Sequence, residues 1–206
     1  MKKQLLSAVV LCALGAVGCG DEVTPTPPTD TGPKYNSADK ISTYLEGKTL
    51  VMEGDNIPSH PNGFSEDLDL GASSQCYTKS TISVAGGTYS VVSEQGTLRT
   101  SASSPTGKDC DRTTKSGQVS FQTRNPPLIE NVKDDGSCFD VTFNYGAFQQ
   151  SGRGQVSQDG KTVKLELFFE GQAIGHRCAD GEVGAKTVTL NKAPFTGNAV
   201  QTYSVQ

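Results

Sequence analysis

From Thr49 onward the chain alternates apolar and polar residues with a period of two. Phe139, Val141, Phe143 and Tyr145 fall on one face, with Asp140, Thr142 and Asn144 on the other. A second run places Val163, Leu165, Leu167 and Phe169 inward and Lys164, Glu166, Phe168 and Glu170 outward. Shorter runs pair Ile82 with Val84, Val119 with Phe121, and Val188 with Leu190. Successive side chains of a strand point to opposite faces, so the pattern predicts strands with one face on a core and the other in water. Such strands belong to antiparallel sheets, because parallel strands covered on both faces read as unbroken apolar runs. Parallel α/β folds are thereby excluded.

Before the strands, Asn36 to Gly47 reads as one short helix. Ser37 can cap it, Asp39 sits in the first turn, Ile41, Tyr44 and Leu45 share a face, and Gly47 can stop it. The helix is expected to pack on the sheet edge. Gly86-Gly87 and Asp159-Gly160 are signals for two-residue hairpins, and Gln95-Gly96 and Asp135-Gly136 are looser turn signals. Two polar stretches, Asp55 to Ser74 and Ser101 to Ser116, read as long connections. The fold class that follows is all-β: an antiparallel up-and-down barrel or a two-sheet sandwich of about eight to ten strands with one short N-terminal helix. The barrel is slightly favoured, since up-and-down order needs only neighbouring hairpins.

Composition supports one core of ordinary size. Of 206 residues 34% are hydrophobic, and adding the 23 glycines brings the apolar share to about 45%, a globular value. The formal net charge of −4 argues against nucleic acid as a partner, because phosphate binding needs clustered Lys and Arg.

The N-terminus has its own pattern. Lys2 and Lys3 precede an apolar stretch, Leu5 to Val17, that ends in small residues before Cys19, as in a signal peptide. The stretch falls short of the roughly 20 residues of a membrane span. Ala16-Val17-Gly18-Cys19 resembles the lipobox of bacterial lipoproteins, with Ala16 where that family most often carries Leu. The resemblance implies cleavage before Cys19 and acylation of Cys19, palmitate included, with the lipid anchoring the chain in the membrane. Gly20 rather than Asp follows Cys19, which in that family favours the cell outer membrane, on its periplasmic or surface face. Gly20 to Lys34 is Pro-rich with almost no apolar content, and at about 3.1 Å per residue it forms a spacer of roughly 45 Å. The expected organisation is a signal peptide over residues 1–18, a lipidated cysteine and tether over 19–35, and a single antiparallel β-domain over 36–206.

Cysteine parity agrees with export. Of the 6 cysteines, Cys12 leaves with the signal and Cys19 takes lipid, so Cys76, Cys110, Cys138 and Cys178 remain as an even set. Three pairings are possible. Cys76 with Cys110 and Cys138 with Cys178 are favoured, since each bond would staple adjacent strands or a long loop and add roughly 3 to 4 kcal/mol.

Within the β-region, Leu45-Glu46-Gly47-Lys48-Thr49 resembles the Gly-x-Trp opening of lipocalins, and the Asp-Gly turn in GRGQVSQDGKTVKLELFF is similar to that family's hairpins. The chain has no Trp, and Thr49 stands where the family's ring would be. The resemblance implies barrel architecture and carries no ligand.

Catalytic chemistry has little to build on. Only His60 and His176 are available, and no G-x-S-x-G elbow occurs. The acid pairs Glu66 with Asp67 and Asp134 with Asp135 lie in turn-like stretches, where carboxylates are usually solvated. His176-Arg177-Cys178 offers two zinc ligands of the four a structural site requires, and an exported Cys is more often oxidised. Glu66, Asp67 and Asp69, or Asp109 and Asp111, suit a hard cation such as calcium but match no calcium-loop pattern. No cofactor is expected. Recognition is left: inward rings either fill the interior or line a pocket for a small apolar ligand. Phe168 and Tyr203, expected to face outward, are candidate contacts for another protein. The favoured expectation is a non-enzymatic envelope lipoprotein that docks on other envelope proteins; the alternative is a lipocalin-like binder or carrier of a small apolar molecule.

Overall fold

The computed structural model describes residues 32–58, 76–102, 108–190, 192–195 and 197–206. Cys19, His60, Glu66, Asp67 and Asp69 lie outside the described residues, as do the signal sequence and most of the tether. Residues Gly32–Gln206 belong to one compact unit.

The fold is all-β and antiparallel with one short helix. Helix α1 spans Ala38–Leu45. The backbone N–H of Lys40 donates to the Ser37 hydroxyl, which caps the first turn, and Gly47 leaves the last turn at φ +74°. A 3₁₀ turn, Gly54–Asn56, follows the first strand.

The strands are β1 (Thr49–Glu53), β2 (Tyr77–Ala85), β3 (Thr88–Thr100), β4 (Lys108–Gln122), β5 (Leu128–Glu130), β6 (Phe139–Asn144), β7 (Gln149–Val156), β8 (Thr162–Phe169), β9 (Ala173–Ile174), β10 (Thr189–Leu190), β11 (Ala193–Pro194) and β12 (Val200–Val205). Nine of them form one sheet in the order β4-β3-β2-β1-β12-β8-β7-β6-β5, and β11-β10-β9 form a small second one. Every ladder is antiparallel.

The strand order is that of an up-and-down meander cut open at one seam. Starting at β1, each neighbour is the next long strand in sequence, and β12 closes back onto β1; only β4 and β5 share no ladder. The short connector between them is tied to both sides, since Thr123 donates its N–H to Tyr89 of β3 and Arg124 donates to Asn144 of β6. The sheet therefore curls until its wings meet face to face, as in a sandwich. Tyr89 of β3 meets Phe143 of β6 edge-on with ring centroids 5.6 Å apart, although the two strands lie near opposite edges of the sheet.

Local chemistry explains the turns. Gly86 and Gly87 form a two-residue turn between β2 and β3, with φ +58° and +72°, conformations that residues with a Cβ rarely adopt. The Glu46 carboxylate at the end of α1 accepts from both of their N–H groups, at 2.6 and 3.0 Å, and so ties helix to hairpin. On β7, Gly152 and Gly154 give up side chains so that neighbours can approach. A Cβ on Gly152 would stand 1.8 Å from the Glu166 carbonyl oxygen, and one on Gly154 would stand 2.5 Å from the Phe139 ring.

Several expectations are corrected. Helix α1 does not pack on the sheet edge: Ile41 and Leu45 are buried in the main core beside Leu50, Tyr89 and Phe139, so the helix stops one end of the curled sheet. Tyr35, assigned to the tether, is also buried there against Tyr44, so the folded unit begins earlier than residue 36. Gln95-Gly96 is no turn but a register shift inside β3, where Gly96 donates to the Cys76 carbonyl. Asp159-Gly160 lies in a longer loop closed by the Ser157–Thr162 hydrogen bonds. Lys108 to Ser116, expected as loop, is strand β4, because β3 and β4 extend together beyond the rest of the sheet. The long sheet matches the expected strand count, and of the three two-residue strands only β10 falls on a run read from the sequence, that of Val188 with Leu190.

The largest correction concerns the outer face of β6 to β8. Phe168, Arg153, Glu166 and Asp140 all point away from the main core, yet they are 0%, 0%, 3% and 4% exposed. The chain between β8 and β12 folds back over that face. Phe168 packs in a second core with Ala173, Val188, Leu190 and Ala199. Tyr203 is also buried, but on the inner face, because it stands opposite Val163 in the β12–β8 ladder. Neither ring is an exposed contact.

Candidate functional site: an aromatic cavity in the curled sheet

The interior divides into two unlike halves. Under α1, Leu45, Leu50, Tyr89, Phe139, Val163 and Leu165 leave about 10 Å³, too little for a well-held water. The opposite half holds a cavity of about 200 Å³. Rings were expected to fill the interior or to line a pocket, and the two halves do one each.

The cavity's apolar wall comes from Phe121 of β4, Phe143 and Tyr145 at the end of β6, Phe148 before β7, and Leu167 and Phe169 of β8. Several of these rings meet edge to face, the geometry that aromatic quadrupoles favour. Phe121 stands 5.1 Å from Phe148 at 87°, and Phe148 stands 5.4 Å from Phe169 at 80°. The Phe121–Phe148 contact, with Phe121–Tyr145 at 5.9 Å, spans the seam between the two wings near β4. Ring packing thus holds together edges that no backbone ladder joins.

The polar side is a row of hydrogen-bonding groups on β2, β3 and β12. Ser80 and Ser93 hydroxyls are 2.8 Å apart, and the Tyr203 phenol donates to Gln201 Oε1 at 2.7 Å. In the serine pair either hydroxyl can donate. The Gln201 carbonyl oxygen is taken by Tyr203, which leaves the Gln201 amide N–H groups, for which no protein acceptor occurs among the described residues. Burial pushes the Tyr203 and Tyr145 phenols well above their usual range, and neighbouring tyrosines add to the shift. Both stay neutral at physiological pH. No charged residue lines the cavity among the described residues.

The residues singled out from the sequence are distributed elsewhere. Cys76 bonds Cys110 and Cys138 bonds Cys178, with Cα atoms 5.3 and 5.8 Å apart. Cys178 is therefore no thiolate ligand for a metal. Its partner His176 of the zinc reading stands on the outer face, 3.2 Å from the Ser151 hydroxyl and against the Phe168 ring. Burial first, then the Arg177 charge, lowers the His176 pKa from its usual value. Among the described residues the Ser151–His176 pair lacks the acid that would orient a catalytic imidazole, since His176 Nδ1 is buried with no hydrogen-bond partner there. The nearby Asp140 carboxylate is committed to the Cys178 N–H at 2.7 Å and the Asn131 amide at 2.8 Å. Asp111 is held down to about 2 by hydrogen bonds from Thr113 and Thr114 and by the Arg99 charge, which leaves its oxygens engaged by the protein itself. Asp135 is likewise lowered by Ser137, as a turn residue. Among the described residues no group of three or more His, Cys, Asp or Glu is arranged to hold a metal.

Two features lay beyond sequence reasoning. Arg153, fully buried, donates to Glu166, to Gly181 and Ala185 carbonyls and to the Thr187 hydroxyl, and so fixes the segment that covers the outer face. The only signal was its position between two glycines. The polar row was equally hidden, because none of the alternating apolar runs includes Ser80, Ser93 or Gln201.

The fold and cavity together define a curled antiparallel β-domain with an uncharged, aromatic-walled pocket. No protein-family model, curated protein or solved structure matches this chain.

Proposed function

We propose that the protein is a non-enzymatic, lipid-anchored binder or carrier of a small apolar molecule in the cell envelope, with the cavity between β4, β6, β8 and β12 as its ligand site. The observation that carries this reading is the cavity itself: about 200 Å³ of space walled by Phe121, Tyr145, Phe148 and Phe169 in a domain whose other half is tightly packed. Ligand sites are concave and mostly apolar with a few placed polar groups, and this one has that composition. An unfilled apolar space costs stability, and a bound apolar ligand offsets that cost. The lipobox-like Ala16 to Cys19 and the Pro-rich spacer support an anchor that holds the domain off an outer-membrane surface. Docking on other envelope proteins, favoured from the sequence, loses its two proposed contacts, since Phe168 and Tyr203 are buried.

The test is titration of the full chain with indole as a fluorescent reporter, which has nine heavy atoms and whose emission no Trp of the chain obscures, beside a Val119→Phe variant that narrows the cavity from β4. Saturable binding at one site, lost in the variant, is expected. A folded wild-type protein that gives no saturable binding overturns the reading.

A further inference from the structure

The two sides of the cavity differ in a way that specifies what fits. The wall offers ring faces and edges and no charge among the described residues. An ionised ligand group would enter without a counter-charge, and an unpaired buried charge is strongly disfavoured. The polar row adds a direction. The Tyr203 phenol donates to Gln201 Oε1, so what Gln201 has left to offer the cavity is the donor pair of its amide. The volume sets the size. An apolar cavity of about 150 Å³ holds benzene, so one of about 200 Å³ accommodates about eight or nine heavy atoms.

Resting on the ligand-binding reading above, we infer that the cavity takes an uncharged, single-ring aromatic compound bearing one hydrogen-bond acceptor, with the acceptor on the Gln201 amide and the ring against Phe121, Tyr145 and Phe148. Aryl ketones, aldehydes and esters belong to this class. The ring meets neighbours already arranged edge to face, and the acceptor completes a row that otherwise ends in unused donors.

Three probes of nearly equal size separate the contributions: acetophenone has ring and acceptor, ethylbenzene has the ring alone, and benzoate carries a charge. Ligand-observed NMR titration of the full chain is expected to show acetophenone binding roughly tenfold more tightly than ethylbenzene, the gain of one hydrogen bond, with no saturation by benzoate. Gln201→Met is expected to bring the ratio of acetophenone to ethylbenzene affinity down from about ten to about one. Gln201→Glu keeps the acceptor for Tyr203, removes the donors, and is expected to lose the same preference, so a folding defect in one variant leaves the other to decide. Equal affinities of acetophenone and ethylbenzene, or tighter binding of benzoate, overturn the inference. If those results come with reporter binding that Val119→Phe abolishes, the cavity reading stands without it. If neither reporter nor probes bind the folded protein, both fail.

Discussion

The guanidinium of Arg153 on β7 and the carboxylate of Glu166 on β8 lie 2.7 Å apart, with side-chain exposures of 0% and 4%. They face each other across the ladder that pairs their own backbones. Glu166 also accepts from Gly184 at 2.9 Å, and Arg153 reaches the carbonyls of Gly181 and Ala185, so the ion pair is the point at which the segment after β8 is fastened to the sheet. A buried pair is worth little against an apolar replacement, but breaking it by removing one partner strands a charge.

Arg153→Met is therefore expected to destabilise the domain by about 3–5 kcal/mol, whereas Arg153→Met with Glu166→Leu is expected to recover part of that loss. Urea unfolding followed by circular dichroism measures both. A double variant less stable than Arg153→Met alone would contradict the assignment of the cost to a stranded carboxylate.

The Cys138–Cys178 bond joins the start of β6 to the same covering segment, at a sequence separation of 40. In the chain-entropy account, loss of a loop closure of this length costs about 4 kcal/mol. Replacing both cysteines by serine is expected to lower the thermal midpoint and to expose the outer face of β8 to hydrogen exchange, with β2 and β3 protected longer. Uniform loss of protection across the sheet would show that the covering segment and the sheet unfold together.

The fold raises the phenol pKa of four of the 6 tyrosines, and the shift is large at Tyr89, Tyr145 and Tyr203. Burial, with the Glu46 carboxylate adding to it, pushes Tyr89 from the usual 10.0 up to about 12. Tyr145 and Tyr203 are raised further by burial. The folded state favours the protonated phenols, so their contribution is complete below the unfolded value of 10.0 and is lost as pH rises from there through the raised folded values. Alkaline titration is expected to show phenolate absorbance from these three only together with loss of the sheet signal. Smooth ionisation of every tyrosine in a folded protein would be inconsistent with their burial.

The proposed lipidation of Cys19 has a direct readout. Cys19→Ala is expected to move the protein from the membrane fraction to the soluble envelope fraction without changing reporter affinity, because anchor and cavity lie in separate parts of the chain. Retention of the variant in membranes would remove the basis for the anchor.

Much of the fold was legible in the sequence because it is local. Ser37 and Gly47 bound α1 through capping and positive φ, and Gly86-Gly87 makes a tight turn for the same backbone reason. Alternation around Phe139 and Val163 marks β6 and β8 because side-chain direction repeats every two residues. The even set of thiols in a chain with an export-like N-terminus pointed to two disulfides.

What lay beyond the sequence depends on which surfaces meet after the sheet curls. Phe168 and Glu166 have the outward phase of β8, and the period is silent on whether another segment will cover that phase; the chain returning from β8 to β12 does so, and water is excluded from both. Tyr203 sits in a strand whose polar residues carry no clear phase, and only its place opposite Val163 puts it inside. The cavity is a property of curvature. Alternation names the residues that face inward, but whether inward rings touch or stand apart follows from how far the two wings are brought together at the β4–β5 seam. That closure is set by contacts such as Phe121 with Phe148, between residues distant in the chain, and no local pattern encodes the space it leaves.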